Sequence, residues 1–174
     1  MTGTAVRVTF EPLRPQHLQL LTRWLQAPHV RAFWDDGERD EGAVQSHYFE
    51  DRDRVPGFIF SEGGSPAGFL QCEHLTPEHG FWPYATPDGE TWAVDLLIGE
   101  EELMGRGLGP RVICAFLARL AARPPGWQRI LIDPDVRNVR AIRAYTKAEF
   151  VPVALLGSLQ LMALDRAPSF PTAV

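Results

Sequence analysis

The sequence predicts a mixed α/β fold, a central sheet of about six to seven strands flanked by helices. Three observations lead there. Short apolar or alternating runs bounded by glycine and proline recur along the chain, as strands require. Stretches with apolar residues three and four apart fall between some of them, as amphipathic helices require. Trp92-Ala93-Val94-Asp95-Leu96-Leu97-Ile98-Gly99 is almost unbroken apolar, the mark of a central strand covered on both faces. With 174 residues, 45% hydrophobic and 22% charged, the chain fits one domain with a buried core. That core spans roughly residues 6–165, with a short Pro-containing tail over 167–174.

Val6 to Phe10 alternates and reads as the first strand. Pro15 opens a helix with Leu18, Leu21, Trp24 and Leu25 on one face. The acidic turn Asp35–Glu41 leads to a weaker helix from Glu41 to about Asp51. Gly57–Phe60 and Ala67–Cys72 flank Gly63-Gly64, a hairpin signal. Leu75 to Glu90, rich in proline and glycine but carrying Phe81, Trp82 and Tyr84, reads as an ordered functional loop. After the strand at 92–99, a helix begins near Gly107. Leu108, Val112, Ile113, Phe116, Leu117 and Leu120 form its stripe, and Pro124-Pro125-Gly126 ends it. A strand at 129–132, a helix from Asn138 to Ala148, and strands near 150–155 and 159–164 complete the order β-α-α-β-β-β-α-β-α-β-β.

Composition excludes several function classes. No run approaches the roughly 20 apolar residues of a membrane span, and the first residues lack a signal-peptide pattern. A cytoplasmic protein is therefore expected. Cys72 and Cys114 lie in apolar stretches without metal-ligand spacing, so both are expected as small core residues, with no disulfide framework and no metal. Residues 1–87 hold seven basic and twelve acidic side chains, whereas residues 88–174 hold ten of each. The net charge of −5 thus lies in the first half, which carries no basic nucleic-acid footprint and suits a cationic ligand.

Two constellations carry chemistry. Met104-Gly105-Arg106-Gly107-Leu108-Gly109 follows a buried strand and opens a helix. Its glycines let backbone approach a ligand, and the helix start offers unpaired N–H groups and a positive dipole end, so the turn reads as a pyrophosphate cradle. No Lys-Ser/Thr follows, which excludes a nucleotide P-loop. Asp95 is a lone carboxylate in an apolar strand, costly to bury unless paired or used.

The second constellation, Asn138-Val139-Arg140-Ala141-Ile142-Arg143-Ala144-Tyr145-Thr146-Lys147-Ala148-Glu149-Phe150, resembles the Asn-x-x-Ala-x-x-x-Tyr-x-Lys-x-Gly-Phe stretch of the GNAT acetyltransferase superfamily. The glycine turn is similar to that superfamily's pyrophosphate loop. Within it, His29–Trp34, Gly68–Gln71, Asp95–Leu97 and Asp133-Pro134 look like segments of aminoglycoside 6′-N-acetyltransferases. The resemblance implies a GNAT fold with a splayed central strand pair at the cofactor site, and acetyl-CoA as acetyl donor. It places Leu97 and Ile98 backbone against the pantetheine arm, and Gly105, Arg106, Gly107, Leu108 and Gly109 on the pyrophosphate. Asn138 and Ala141 lie along the cofactor, with Lys147 toward its nucleotide end.

Catalysis would rest on Asp95 at the acceptor amine and on Tyr145, a phenol of reference pKa about 10 beside a thiol of about 8.5, as general acid. Trp34, Gln71, Glu73, Asp95 and Asp133 would hold the acceptor, a small cationic amine of aminoglycoside type. The alternatives are another acceptor, such as a siderophore-type hydroxylysine or a protein N-terminus, or a non-catalytic acyl-CoA- or drug-binding protein. A small-molecule partner, no nucleic acid, no membrane, and a monomer or homodimer are expected.

The sequence departs from the family pattern at three points. Met104 stands where the superfamily often has Gln or Arg, which leaves the phosphate contact there to backbone. Glu149 replaces Gly before Phe150, which costs about 1 kcal/mol or more if the position needs positive φ. From Phe81 to Glu90 the long loop carries acids only at Asp88 and Glu90, where the aminoglycoside enzymes have an acidic run.

Overall fold

The computed structural model describes residues 6–34, Gly37 and residues 39–167. One seven-stranded sheet runs through it in the order β1-β2-β3-β4-β5-β7-β6. The strands are β1 (Val8–Pro12), β2 (Gly57–Glu62), β3 (Ser65–His74), β4 (Thr91–Ile98), β5 (Arg129–Ile132), β6 (Val151–Leu156) and β7 (Leu159–Asp165). All neighbours are antiparallel except β4 and β5. The helices are α1 (Leu18–Gln26), α2 (Pro28–Arg31), α3 (Glu41–Val44), α4 (Leu108–Ala121) and α5 (Val139–Lys147).

Each face of the sheet collects alternate residues, because strand side chains alternate. Phe58, Phe60, Leu70, Cys72 and Val94 pack with Val112, Ile113 and Phe116 of α4 and Tyr145 of α5. Ile59, Phe69 and Leu97 point to the other face, against Leu18, Leu21, Trp24 and Leu25 of α1 and Val30 of α2. The predicted stripes of α1 and α4 are the faces that meet the sheet. A third cluster, Leu75, Leu131, Leu161 and Ala163, is covered by Phe81, Tyr84 and Ala85, so the long loop is packed against the sheet. Gly63 and Gly64 turn between β2 and β3 with φ of 58° and 86°, the conformation such a two-residue turn demands.

Several expectations need correction. β1 starts two residues later than predicted, at Val8. The first helix opens with a 3-10 turn at Pro15–His17, and a second short helix follows it at Pro28, because proline cannot continue the first. The weaker helix is α-helical only over Glu41–Val44 and widens into a π turn over Gln45–Phe49. The long loop holds one 3-10 turn, Trp82–Tyr84. Cys114 is exposed, because its place on α4 lies off the stripe that meets the sheet; Cys72 is buried as expected. Of the acidic turn, Asp35, Asp36 and Glu38 lie outside the described residues, as does the tail beyond Ala167.

The parallel pair is the feature that makes a site. β4 and β5 pair only through Thr91–Ala93 and Arg129–Leu131. Beyond Ala93 the strands part, so β4 from Val94 to Ile98 has β3 on one side and an open gap on the other.

Candidate active site

A cavity of about 920 Å³ opens in that gap. β4, the end of β5, the glycine turn, α2 and α5 all contribute walls. Asp95, Leu97, Ile98, Gly105, Gly107, Leu108, Gly109, Asn138, Ala141, Tyr145 and Lys147 line it, as do Trp34, Gln71 and Asp133. Two of the predicted residues do not. The exposed Arg106 lies outside the lining. Glu73 is engaged elsewhere, accepting from Arg54 at 2.5 Å with His79 at 3.5 Å.

The glycine turn has the backbone that its composition implied. Gly105 and Gly107 sit at φ 72° and 74°, where a side chain is disfavoured, and a Cβ on either would meet nothing within 4 Å. Space therefore remains in front of the turn. The backbone N–H groups of Leu108 and Gly109 lie in the first turn of α4, where an α-helix offers them no i−4 partner. Those donors and the positive end of the fourteen-residue α4 form an anion cradle. On α5, Arg140, Arg143 and Lys147 also line the cavity, three and four residues apart on one face. The two arginines were not singled out from the sequence, although that spacing was readable in it. Asn138 caps α5, its Oδ1 accepting from the Ala141 N–H at 3.2 Å, which fixes its side chain at the cavity wall.

The sheet register corrects one assignment. Gly99 N–H donates to Ala67 O at 2.8 Å, and antiparallel ladders alternate, so Leu97 is turned toward its β3 partner Phe69. The backbones of Leu96 and Ile98 face the gap. The Ile98 carbonyl is already taken by His29 Nε2 at 3.0 Å. His29 is the contact that sequence reasoning missed; the two residues are 69 apart, and no local pattern marks such a pair.

At the cavity floor Asp95 and Asp133 lie close enough for each to act on the other's titration. β3 places Gln71 opposite Asp95, where its amide favours the ionised carboxylate. Burial raises both pKa values: that of Asp95 above the carboxylate range, and that of Asp133 to about 8, pushed further by the Asp95 charge. Asp133 is held in place by the loop after β5, where Gln160 N–H donates to Pro134 O at 2.8 Å and Val136 N–H to Ser158 O at 2.8 Å. Tyr145 faces the pair from α5. Burial and the two carboxylates raise its phenol above the ordinary value. Trp34 forms the wall on the α2 side, steadied by Nε1 donating to the Tyr48 hydroxyl at 2.9 Å. The cavity is thus cationic at the α4–α5 end and carries two carboxyl groups at the floor, and it suits a phosphate-bearing ligand meeting an amine.

Comparison with known proteins agrees with this geometry. A family model described as an acetyltransferase (GNAT) domain matches residues 14–156. Aminoglycoside N(6′)-acetyltransferase type 1 of Klebsiella pneumoniae is 29% identical over 156 residues, covering 86% of this chain and 77% of that protein. Lysine N-acyltransferase MbtK of Mycobacterium tuberculosis is 26% identical over 130 residues, 72% of this chain and 60% of that one. The crystal structure of aminoglycoside acetyltransferase AAC(6′)-Ib with coenzyme A and kanamycin superposes with a TM-score of 0.79 at 27% identity, covering 92% of this chain and 95% of that chain. The glycine turn, the parted strands and the α5 motif are therefore those of a known architecture, and the chain belongs to the GNAT acetyltransferase family.

Proposed function

We propose that the protein moves an acetyl group from acetyl-CoA to a primary amine of a small polycationic acceptor, of aminoglycoside size and charge. The observation that carries this reading is the Asp95–Asp133 pair, two neighbouring carboxyl groups at the floor of a cavity whose other end is built for phosphates.

The residues present fit acetyl-CoA, which supplies the acetyl group as a thioester when bound. The glycine turn and the first-turn N–H groups of α4 suit its pyrophosphate, and Arg140, Arg143 and Lys147 suit its nucleotide end. The gap-facing backbones of Leu96 and Ile98 offer its amide-rich arm a strand edge, as in β-augmentation. Asn138 keeps its carboxamide nitrogen for the same arm while its oxygen caps α5.

Transfer requires a neutral amine, and an amine of reference pKa near 10 arrives protonated. The acidic pair binds and orients the ammonium. An ammonium has no lone pair, so its first proton passes to water before attack; the ionised carboxylate, held above the usual carboxylate range and so a stronger base than a surface aspartate, takes the second proton from nitrogen as the C–N bond forms. Tyr145 stays protonated. A raised phenol gives up its proton to a thiolate of reference pKa about 8.5 only uphill. Its role is therefore a hydrogen bond to the sulfur as charge develops there.

The test is thiol release from acetyl-CoA across aminoglycosides, polyamines and monoamines at low and moderate salt. Polycations are expected to turn over best, with KM rising as salt screens the field. Best turnover with monoamines and no salt dependence refutes the polycationic acceptor.

A further inference from the structure

At the other end of β4 lies a second, smaller cavity of about 260 Å³, which shares no lining residue with the catalytic one. It opens between the start of β4, the end of β3 and the last turns of α4. Phe58, Phe116 and Leu120 give it apolar walls, and no acidic residue lines it. Trp92 lines it too, and the Trp92 Nε1–H is the single buried side-chain polar atom without a hydrogen-bond partner among the described residues. Buried donors are nearly always paired, so an orphan of this kind calls for an acceptor.

Two guanidiniums complete the cavity. Arg119 lies over the Phe58 ring at 5.6 Å. Arg123 is close enough to Cys72 for its charge to act on that thiol. Neither arginine has a carboxylate partner among the described residues. Their place near the C-terminus of α4 suits the helix dipole, but the dipole leaves the indole donor unexplained. Cys72 adds no negative charge, since burial pushes its thiol up to about 12.

We propose that this cavity is a binding site for a small apolar carboxylate of about benzoate size. The ring would lie among Phe58, Phe116 and Leu120, the carboxylate would accept from Arg119 or Arg123, and a turn of the indole would bring Trp92 Nε1–H, sealed from solvent in the free protein, onto it. The size follows from the volume: an apolar cavity of about 150 Å³ takes benzene, and drug-sized ligands need about 300 Å³ or more. The chemistry follows from an orphan N–H and unpaired cations over apolar walls, which an ionised acceptor satisfies better than a neutral one.

The experiment is a titration of the full chain with benzoate, followed through the indole N–H signals of its five tryptophans. Trp92→Phe identifies the Trp92 signal by its loss, and Trp34→Phe identifies that of the catalytic cavity. The proposal expects a saturable shift of the Trp92 signal with benzoate and none with benzyl alcohol. Replacing both arginines, Arg119→Gln with Arg123→Gln, should weaken binding on the order of tenfold or more. A silent Trp92 signal, an equal response to benzyl alcohol, unchanged affinity in the double variant, or a shift confined to Trp34 each overturns it.

Discussion

Replacing Asp133 by Asn should stabilise the ligand-free protein above neutral pH while damaging acceptor binding. The side chains are nearly isosteric, so packing is kept and only the titration is lost. Asp133 moves from an ordinary 3.8 to about 8 in the fold. A carboxyl whose folded pKa is raised binds its proton more tightly when folded. Its contribution is therefore fully favourable below pH 3.8 and is lost as pH rises through about 8. The shift sets a ceiling of about 6 kcal/mol on that loss. An effective dielectric of about 20 rather than about 4 at such a site leaves about 2 kcal/mol. For a chain of this length that is a Tm difference of about 4–8 °C.

The assay is thermal unfolding of both proteins from pH 4 to pH 9. Asp133→Asn should melt near the parent at pH 4 and clearly above it at pH 9. At neutral pH it should raise the KM for a cationic acceptor, because it removes a carboxylate that holds the ammonium. A variant that is less stable at every pH, or equally displaced at all of them, refutes the raised titration of Asp133 on which this prediction rests.

Three further outcomes are expected. Tyr145→Phe keeps the ring against Phe150 and should lower kcat on the order of tenfold to a hundredfold with acetyl-CoA affinity unchanged by calorimetry; an unchanged kcat with a chemistry-limited acceptor makes Tyr145 a packing residue. Gly107→Asp puts a carboxylate into the open space before α4 and should abolish most acetyl-CoA binding, whereas the neutral Gly107→Asn, tolerant of positive φ, should lose less; equal affinities in folded variants argue against the cradle. Glu149→Gly relieves a side chain held at φ 72° and should raise Tm by about 2–4 °C, the equivalent of about 1 kcal/mol; a lowered Tm means that the Glu149 side chain is itself stabilising.

Local periodicity made the covering helices and the strands readable. The stripe on α4 and the apolar run of β4 are patterns within a few residues, and each reflects one surface meeting the sheet. The same locality explains Glu149: a Gly-Phe turn closes a helix, so its positive φ was legible from one substituted position. Cys114 failed because an apolar neighbourhood does not say on which side of a helix a residue falls. Ile98 and His29 meet across 69 residues, and the direction of the Leu97 backbone depends on ladder phase, which β3 sets from outside the strand. Asp133 was found only through family likeness. Its partnership with Asp95 arises where two strands stop pairing, and no spacing encodes that.

The three-residue seam between β4 and β5 also shapes how the protein comes apart. On one side of it, β1 to β4 are joined by antiparallel pairs between successive strands; on the other, β5, β7 and β6 make up the rest of the sheet, the last two linked through Gly157 and Ser158. Each half pairs within its own stretch of the chain, leaving the docking across the seam as the step with the least backbone to hold it. The slowest-exchanging amides should therefore lie inside the two halves, at Phe69 and Met162, while the gap-facing amides of Leu96 and Ile98 exchange early. A ligand that bridged the gap would supply the missing ladder, so its binding would be linked to the docking of the two halves, with the cleft as the weakest line of the fold.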